Sequence, residues 1–449
     1  MWTGPETSLN LSPLNSRILH NTPYKYLLCG LLLAACTADA FAAPKSSRDH
    51  ETGEYPGTRR SSVTSGEEPA TSCKSNVPAT PGSSDVIVGA GQMERYLPLL
   101  AGRNVGILTN HTGQVGHTHL VDTLLARGVA IRRIFAPEHG FRGVADAGES
   151  VASYRDKKTG IEVVSLYGTN KRPKPEQLNG IDVIVFDIQD VGLRFYTYLS
   201  SMHYMMEACA ENGVDFLVLD RPNPNGFYVD GPILDMKNRS FVGMHPIPIV
   251  HGMTLGELAR MINGEKWLRN GEQCALEVIP CLNYTHQTRY TLPVKPSPNL
   301  PNMRAIYLYG SLCYFEGTPL SVGRGTDAPF QIYGHPKLQS SYSFTPQSNP
   351  GAKNPPLRGV LCHGEDLRRE PPDSILWKNG INLAYLTESY RQIGGGESFF
   401  LPIFDKLTGV SYIREMIVAG AGADEIKSRW KGDVERFLVQ RKPYLLYEE

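Results

Sequence analysis

Asp182-Val183-Ile184-Val185-Phe186-Asp187-Ile188-Gln189-Asp190-Val191-Gly192-Leu193-Arg194 is the stretch that decides the fold. Its first half is a nearly unbroken apolar run, as expected of a strand covered on both faces in a parallel sheet. Its second half turns abruptly polar. The same change recurs on either side of it. Asn104–Leu108 runs into Thr109-Asn110-His111, Ile131–Phe135 into Pro137–Gly143, and Asp215–Leu219 into Asp220–Gly226. Glu162–Leu166 reads as a further strand. Helical stretches separate them: His119–Arg127, with Leu120, Val121, Leu124 and Leu125 on one side; Tyr198–Glu211, stopped by Asn212-Gly213; and Leu255–Ile262, opened by a capping box of Thr254 and Glu257. Alternating strands and helices predict an α/β protein. A Rossmann-like parallel sheet is expected over 86–283, with a smaller α/β unit over 284–449.

In an open parallel sheet the C-terminal ends of the strands lie along one edge, and ligands bind there at the switch in strand order. That edge is expected to gather Asn110, Glu138, His139, Arg142, Asp187, Gln189, Arg194, Asp220, Arg221 and Asn223. Val86-Ile87-Val88-Gly89-Ala90-Gly91 opens like a dinucleotide fingerprint, but Glu94 stands at the third glycine position and no strong helix is expected to follow. GxxxxGK[ST] and GxSxG patterns are absent, so a phosphate cradle or a serine-hydrolase elbow has no support. No CxxC or HExxH spacing points to a metal, and no cofactor is expected.

Composition narrows the class. The chain has 449 residues, 41% hydrophobic and 20% charged, enough to bury a real core. Lys and Arg number 45, as do Asp and Glu, which argues against a nucleic-acid partner. Tyr26–Cys36 is a short apolar run behind Arg17 and Lys25, the layout of a secretory signal over 1–36. Leu33-Ala34-Ala35-Cys36 resembles a lipobox in which Cys36 is acylated, and Ala40-Phe41-Ala42 offers a competing signal-peptidase site. Residues 37–85 are rich in Ser, Thr, Gly and Pro and read as a flexible linker. The expectation is an exported bacterial protein, periplasmic or a membrane-anchored lipoprotein, that meets a membrane only through this anchor. Six cysteines follow Cys36. Isolated buried thiols are expected rather than a disulfide scaffold, Cys274 and Cys281 being the nearest pair. His335–Asn354 reads as a surface loop and Leu407–Glu449 as helices.

Carboxylates, amides, arginines and tyrosines with no metal or phosphate signature suit a polyhydroxylated substrate. Glycoside hydrolysis needs a proton donor for the leaving oxygen and a second group for the water or the sugar carbon. Glu138, behind an apolar strand and a proline, is the leading acid. Asp187 and Asp220 are alternatives or partners, and Tyr196 and Tyr198 are hydrogen-bonding or nucleophilic candidates.

Thr109-Asn110-His111-Thr112-Gly113, Pro137-Glu138-His139-Gly140-Phe141-Arg142-Gly143, Asp187–Tyr198 and Asp220-Arg221-Pro222-Asn223-Pro224 together resemble the NamZ-type exo-β-N-acetylmuramidases. Ser297-Pro298-Asn299-Leu300-Pro301, Phe315-Glu316-Gly317-Thr318, Ser321–Thr326 and Pro443–Tyr447 continue the match in order, from about residue 86 to the end. The resemblance implies removal of terminal β-1,4-linked N-acetylmuramic acid (MurNAc) from peptidoglycan fragments down to MurNAc-GlcNAc, in a cleft between two domains. It puts the family's proposed catalytic glutamate at Glu138, brings His139 and Arg142 into the site, and leaves Tyr196 or Asp187 as the partner. Glu316 and Arg324 come from the second domain. Arginine pairs bidentately with carboxylates, so Arg324, Arg142 and Arg194 compete to read the lactyl group of MurNAc. The rivals are another amino-sugar exo-glycosidase and a non-catalytic peptidoglycan-binding lipoprotein.

Overall fold

The computed structural model describes residues 86–138, 140–142, 153–371 and 380–449. The expected signal with Cys36, the 37–85 linker and His139 lie outside the described residues. Seven strands form one sheet: β1 (Asn104–Thr109), β2 (Ala130–Ala136), β3 (Tyr154–Arg155), β4 (Glu162–Ser165), β5 (Val183–Asp187), β6 (Asp215–Leu219) and β7 (Leu276–Ile279). Their order is β3-β4-β2-β1-β5-β6-β7. All pairs are parallel except the edge pair β3–β4. The six parallel strands thus follow the doubly wound Rossmann order, with the switch between β1 and β5. Every residue of β5 is buried, which accounts for its unbroken apolar run. Ile107 of β1 lies between Ile134 of β2 and Val185 of β5.

Helices α1 (Met93–Leu100), α2 (Leu120–Ala126), α3 (Tyr198–Asn212) and α4 (Leu255–Gly264) belong to this part. Gly213, at φ 65°, caps α3 in the left-handed conformation that glycine adopts without strain. The Thr254 hydroxyl accepts from the Glu257 N–H at 3.2 Å, and the Glu257 carboxylate accepts from the Thr254 N–H at 2.9 Å, completing the capping box of α4.

A helix does follow Gly89-Ala90-Gly91, contrary to expectation. Its signal is weak because α1 is only eight residues long and contains Pro98. Gly89 is pressed against the ends of β6 and β7: a Cβ there would lie 2.4 Å from the Ile279 carbonyl oxygen and 2.6 Å from the Asp220 nitrogen. The glycine serves this close approach.

Beyond β7 come α5 (Met303–Leu312) and a three-stranded antiparallel sheet of β8 (Ile332–His335), β9 (Tyr342–Phe344) and β10 (Cys362–Asp366), in the order β8-β10-β9. The expected loop over 335–354 therefore carries β9, a strand too short to show in the pattern of the sequence. Helices α6 (Ala384–Ile393), α7 (Phe404–Thr408), α8 (Tyr412–Val418), α9 (Ala423–Ser428) and α10 (Lys431–Arg441) finish the chain. One face of the large sheet is covered by α1 and α2 through Tyr96, Leu120 and Leu124. The other face starts a core that runs from Phe186, Met202 and Phe216 through Ile306 and Phe330 to Phe404, Trp430 and Phe437. Cys209, Cys274, Cys281, Cys313 and Cys362 are buried free thiols.

Arg194 crosses this shared core. Its Nη1 donates to the carbonyls of Pro232 (2.7 Å) and Ile247 (2.8 Å), and its Nη2 to those of Leu407 (3.3 Å) and Thr408 (2.7 Å). The side chain is wholly buried, and burial pulls the guanidinium down to about 10, still charged at neutral pH. Truncation leaves those carbonyls buried without donors. Arg194→Met is therefore expected to lower the unfolding free energy by roughly 3–5 kcal/mol in urea titrations. A loss below about 1 kcal/mol would show that the carbonyls find other partners.

Candidate active site

A cleft of about 730 Å³ opens to one side of the switch point. Its first wall carries Glu138, Tyr167, Lys171, Thr197, Tyr198 and Phe241; its second carries Asn299, Tyr309, Glu316, Arg324 and Lys406. That volume suits a ligand larger than a monosaccharide.

Glu138 reaches the cleft because the buried end of β2 runs into Pro137, after which the chain leaves the sheet. The Thr197 hydroxyl donates to its Oε2 at 3.1 Å. The Tyr167 hydroxyl donates to the same carboxylate, and burial together with the Glu138 charge raises Tyr167 well above the usual tyrosine value, so it stays a donor. Tyr198 is raised likewise, by burial first and then by Glu138. Thr197 and Tyr198 stand where α3 begins, directly after the loop that follows β5.

Tyr196 has a different role from the one expected of a nucleophile. Its hydroxyl donates to the Pro296 carbonyl at 2.9 Å, and burial drives its ionisation far above the usual range. Its ring meets Tyr198 edge to face with centroids 4.8 Å apart. Tyr196 thus anchors the proline-rich segment whose next residues, Ser297 and Asn299, line the cleft.

The other strand-end residues converge on one another instead of on the cleft. Arg221 grips Asp187 through Nε (2.6 Å) and Nη2 (3.0 Å), with side chains 5% and 0% exposed. Asp187 is therefore locked in a bidentate ion pair and is unavailable as a catalytic partner. Gln189 donates to the carbonyls of Asp190 (2.9 Å) and Pro222 (2.8 Å). Asp220 accepts from the hydroxyls of Thr254 and Tyr447, both at 2.6 Å, and from the Gly256 N–H at 2.8 Å. Asn223 donates to the Met253 carbonyl at 2.8 Å and accepts from the Asn225 N–H at 2.8 Å. Gly192, at φ 78°, lets it in: a Cβ there would lie 2.0 Å from Asn223 Oδ1. These contacts fill the crevice at the switch point.

Asn110 accepts from the Thr112 N–H (2.9 Å) and hydroxyl (2.6 Å), and its buried amide lies beside the Tyr198 hydroxyl, just behind the cleft wall. Arg142 is held on Asp156 through Nε (3.1 Å) and Nη2 (2.9 Å). Arg194 is spent on carbonyls in the core. Of the three arginines expected to compete for a carboxylate, only Arg324 reaches the cleft, where its Nε donates to Glu316 at 2.6 Å. Sequence reasoning missed Tyr167, Lys171, Phe241, Asn299 and Lys406. Tyr167 follows β4 and obeys the same strand-end rule as Glu138. Lys406 arrives on α7, for which the sequence gives no such signal.

Two family models match the chain: the N-terminal domain of exo-beta-N-acetylmuramidase NamZ over residues 105–304 and its C-terminal domain over 307–447. The peptidoglycan beta-N-acetylmuramidase NamZ of Bacillus subtilis is 37% identical over 383 residues, covering 78% of this chain and 89% of that protein. Two DUF1343 family proteins of Bacteroides fragilis have similar crystal structures. One is 56% identical with a TM-score of 0.76, the other 29% identical with a TM-score of 0.68. Each match covers 81% of this chain and 99% of the other.

Behind Tyr196 and Tyr198 lies Asp190. One carboxyl oxygen accepts from the Gly192 N–H at 2.7 Å, while the other is buried without a hydrogen-bond partner. Burial pushes this carboxyl up to about 7 from the usual 3.8. Below the lower value both folded and unfolded chains hold the proton; between the two values only the folded chain does. The stabilisation is thus full in acid and is lost as pH rises through about 7, by roughly 2–4 kcal/mol. Asp190→Asn keeps an acceptor for Gly192 and removes the titration. Thermal melts at pH 5 and pH 8 are expected to show a narrower gap for the variant than for the parent. An equal gap would mean that Asp190 ionises normally.

Proposed function

Since this chain belongs to the exo-β-N-acetylmuramidase NamZ family, we propose that it is a glycoside hydrolase that removes non-reducing terminal MurNAc from peptidoglycan fragments, with MurNAc-GlcNAc as its smallest substrate. The observation that carries the reading is Glu138, a carboxylic acid delivered by β2 into a cleft of disaccharide size and steadied by two hydroxyls. In this reading Glu138 protonates the glycosidic oxygen as the bond breaks. Tyr167 and Thr197 fix the direction in which its carboxyl points. The second group is sought among the lining residues from the later part of the chain, where Glu316 is, among the described residues, the other carboxylate and Arg324 holds it in place. Asn299 and Tyr309 supply polar contacts for the sugar hydroxyls.

Export and anchoring belong to the same proposal. The short apolar run behind Arg17 and Lys25, ending in Leu33-Ala34-Ala35-Cys36, supports cleavage and acylation at Cys36. The polar stretch over 37–85 then tethers the enzyme within reach of the wall. Cys36→Ser is expected to move the protein from the membrane to the soluble fraction of a bacterial host; unchanged fractionation would exclude the anchor.

Glu138→Gln is expected to lower kcat by roughly 10²- to 10⁴-fold, the usual weight of general acid catalysis, while MurNAc-GlcNAc still binds. Mass spectrometry of released MurNAc and calorimetry of binding read the two effects. Undiminished turnover would remove Glu138 from the acid role. Binding without cleavage by the unaltered protein would favour a binding protein, and release of GlcNAc from GlcNAc-terminated fragments a different exo-glycosidase.

A further inference from the structure

The charges in the cleft do not balance. Among the described residues, Lys171, Lys406 and Arg324 line it against Glu138 and Glu316, one positive charge in excess. Arg324 and Glu316 answer each other at 2.6 Å. Among the described residues neither lysine is in an ion pair. The Lys171 ammonium sits 4.4 Å from the centroid of the Phe241 ring. A ring face holds an ammonium in place without occupying its hydrogen-bond donors, which stay free for an anion. Lys171 also follows Tyr167 by four residues on the connection between β4 and β5, and Tyr167 donates to Glu138. The ammonium and the acid are thereby carried by one wall. Lys406 comes from α7 on the other.

We propose that Lys171, and not an arginine, binds the carboxylate of the substrate's lactyl ether and so makes the site select MurNAc over GlcNAc. The proposal rests on the muramidase reading above. MurNAc differs from GlcNAc only by that ether, and the carboxylate is the one charge the ether adds, so a cation in the cleft is the group suited to read it. The terminal sugar, whose glycosidic oxygen meets Glu138, presents the carboxylate within the same end of the cleft. Phe241 lends the ammonium a partly dry setting in which pairing with a carboxylate is stronger than in water. Arg324 has its charge met by Glu316 in the free enzyme through Nε, so it offers a second carboxylate a weaker net attraction than Lys171 does.

The test compares MurNAc-GlcNAc with its lactyl methyl ester, which removes the charge and adds one methyl group. The unaltered enzyme is expected to prefer the acid by about 10- to 100-fold in kcat/KM, the range of one charge-assisted hydrogen bond, with the difference in KM. In Lys171→Met the ratio of acid to ester falls to about one, and Lys171→Arg restores most of it; urea melts check that both variants fold. A preference that survives in Lys171→Met, or that disappears in Lys406→Met or Arg324→Met instead, overturns the assignment while leaving the muramidase reading intact. Failure of the unaltered enzyme to cleave either substrate overturns both.

Discussion

Arg194, a buried cation with no carboxylate partner among the described residues, ties the parts of this molecule together. Arg194 leaves the loop after β5, enters the core and takes carbonyls from the segments around Pro232, Ile247 and Leu407-Thr408. Its neighbours in sequence, Phe195 to Tyr198, form one wall of the cleft, and the neighbours of its last partners, Lys406 and Leu407, belong to the other. A guanidinium fork of fixed geometry thus ties the segment of one set of lining residues to the segment of the other. A lysine has a point charge and fewer donors and lacks that fork. Gly409, at φ 81°, leaves the space: a Cβ there would lie 2.4 Å from Arg194 Nη2.

The sheet has the strand order of dinucleotide-binding proteins, yet the cleft lies off the crevice which that order creates. Asp187 with Arg221, Asp220 with Thr254 and Tyr447, and Asn223 with Met253 occupy it with mutual contacts. Each is a buried polar group that finds its partner inside the protein, as burial requires. The site has moved towards β2 and β4, where the strand ends meet the start of α3 and the C-terminal helices. A fold shared with nucleotide-binding proteins therefore says little about the ligand; the side chains at the cleft carry that information.

Much of this was legible beforehand, for physical reasons. Strands buried on both faces must be apolar throughout, so β1, β5 and β6 stood out. Thr254 and Glu257 marked a helix start because a capping box is a local interaction. Glu138 was visible because Pro137, which has no N–H for the ladder, marks the end of an apolar strand just before it. Short or half-exposed elements escaped: α1 is interrupted by proline, β7 is an edge strand, and β9 has three residues. Residue type also failed to say which strand-end group faces a ligand and which faces another loop. Asp187 and Arg221 lie 34 residues apart and pair through the sheet, and Arg194 finds Thr408 after 214. Distances of that kind are set by topology, and no window of sequence contains them.

The hydroxyl that Tyr447 gives to Asp220 spans 227 residues. As the chain emerges from its N-terminal end, the central sheet can assemble before that hydroxyl arrives. Asp220 then waits with one donor missing, and Arg194 waits for Leu407 and Thr408. The first part of the chain emerges with buried polar groups still lacking partners, so its early compact form is held open to the segments that follow. Folding to the finished state becomes a late event governed by distant contacts, slower than the local strand and helix pattern suggests. A stop codon shortly before Tyr447 would spare every strand of the sheet and still deny Asp220 one of its three donors.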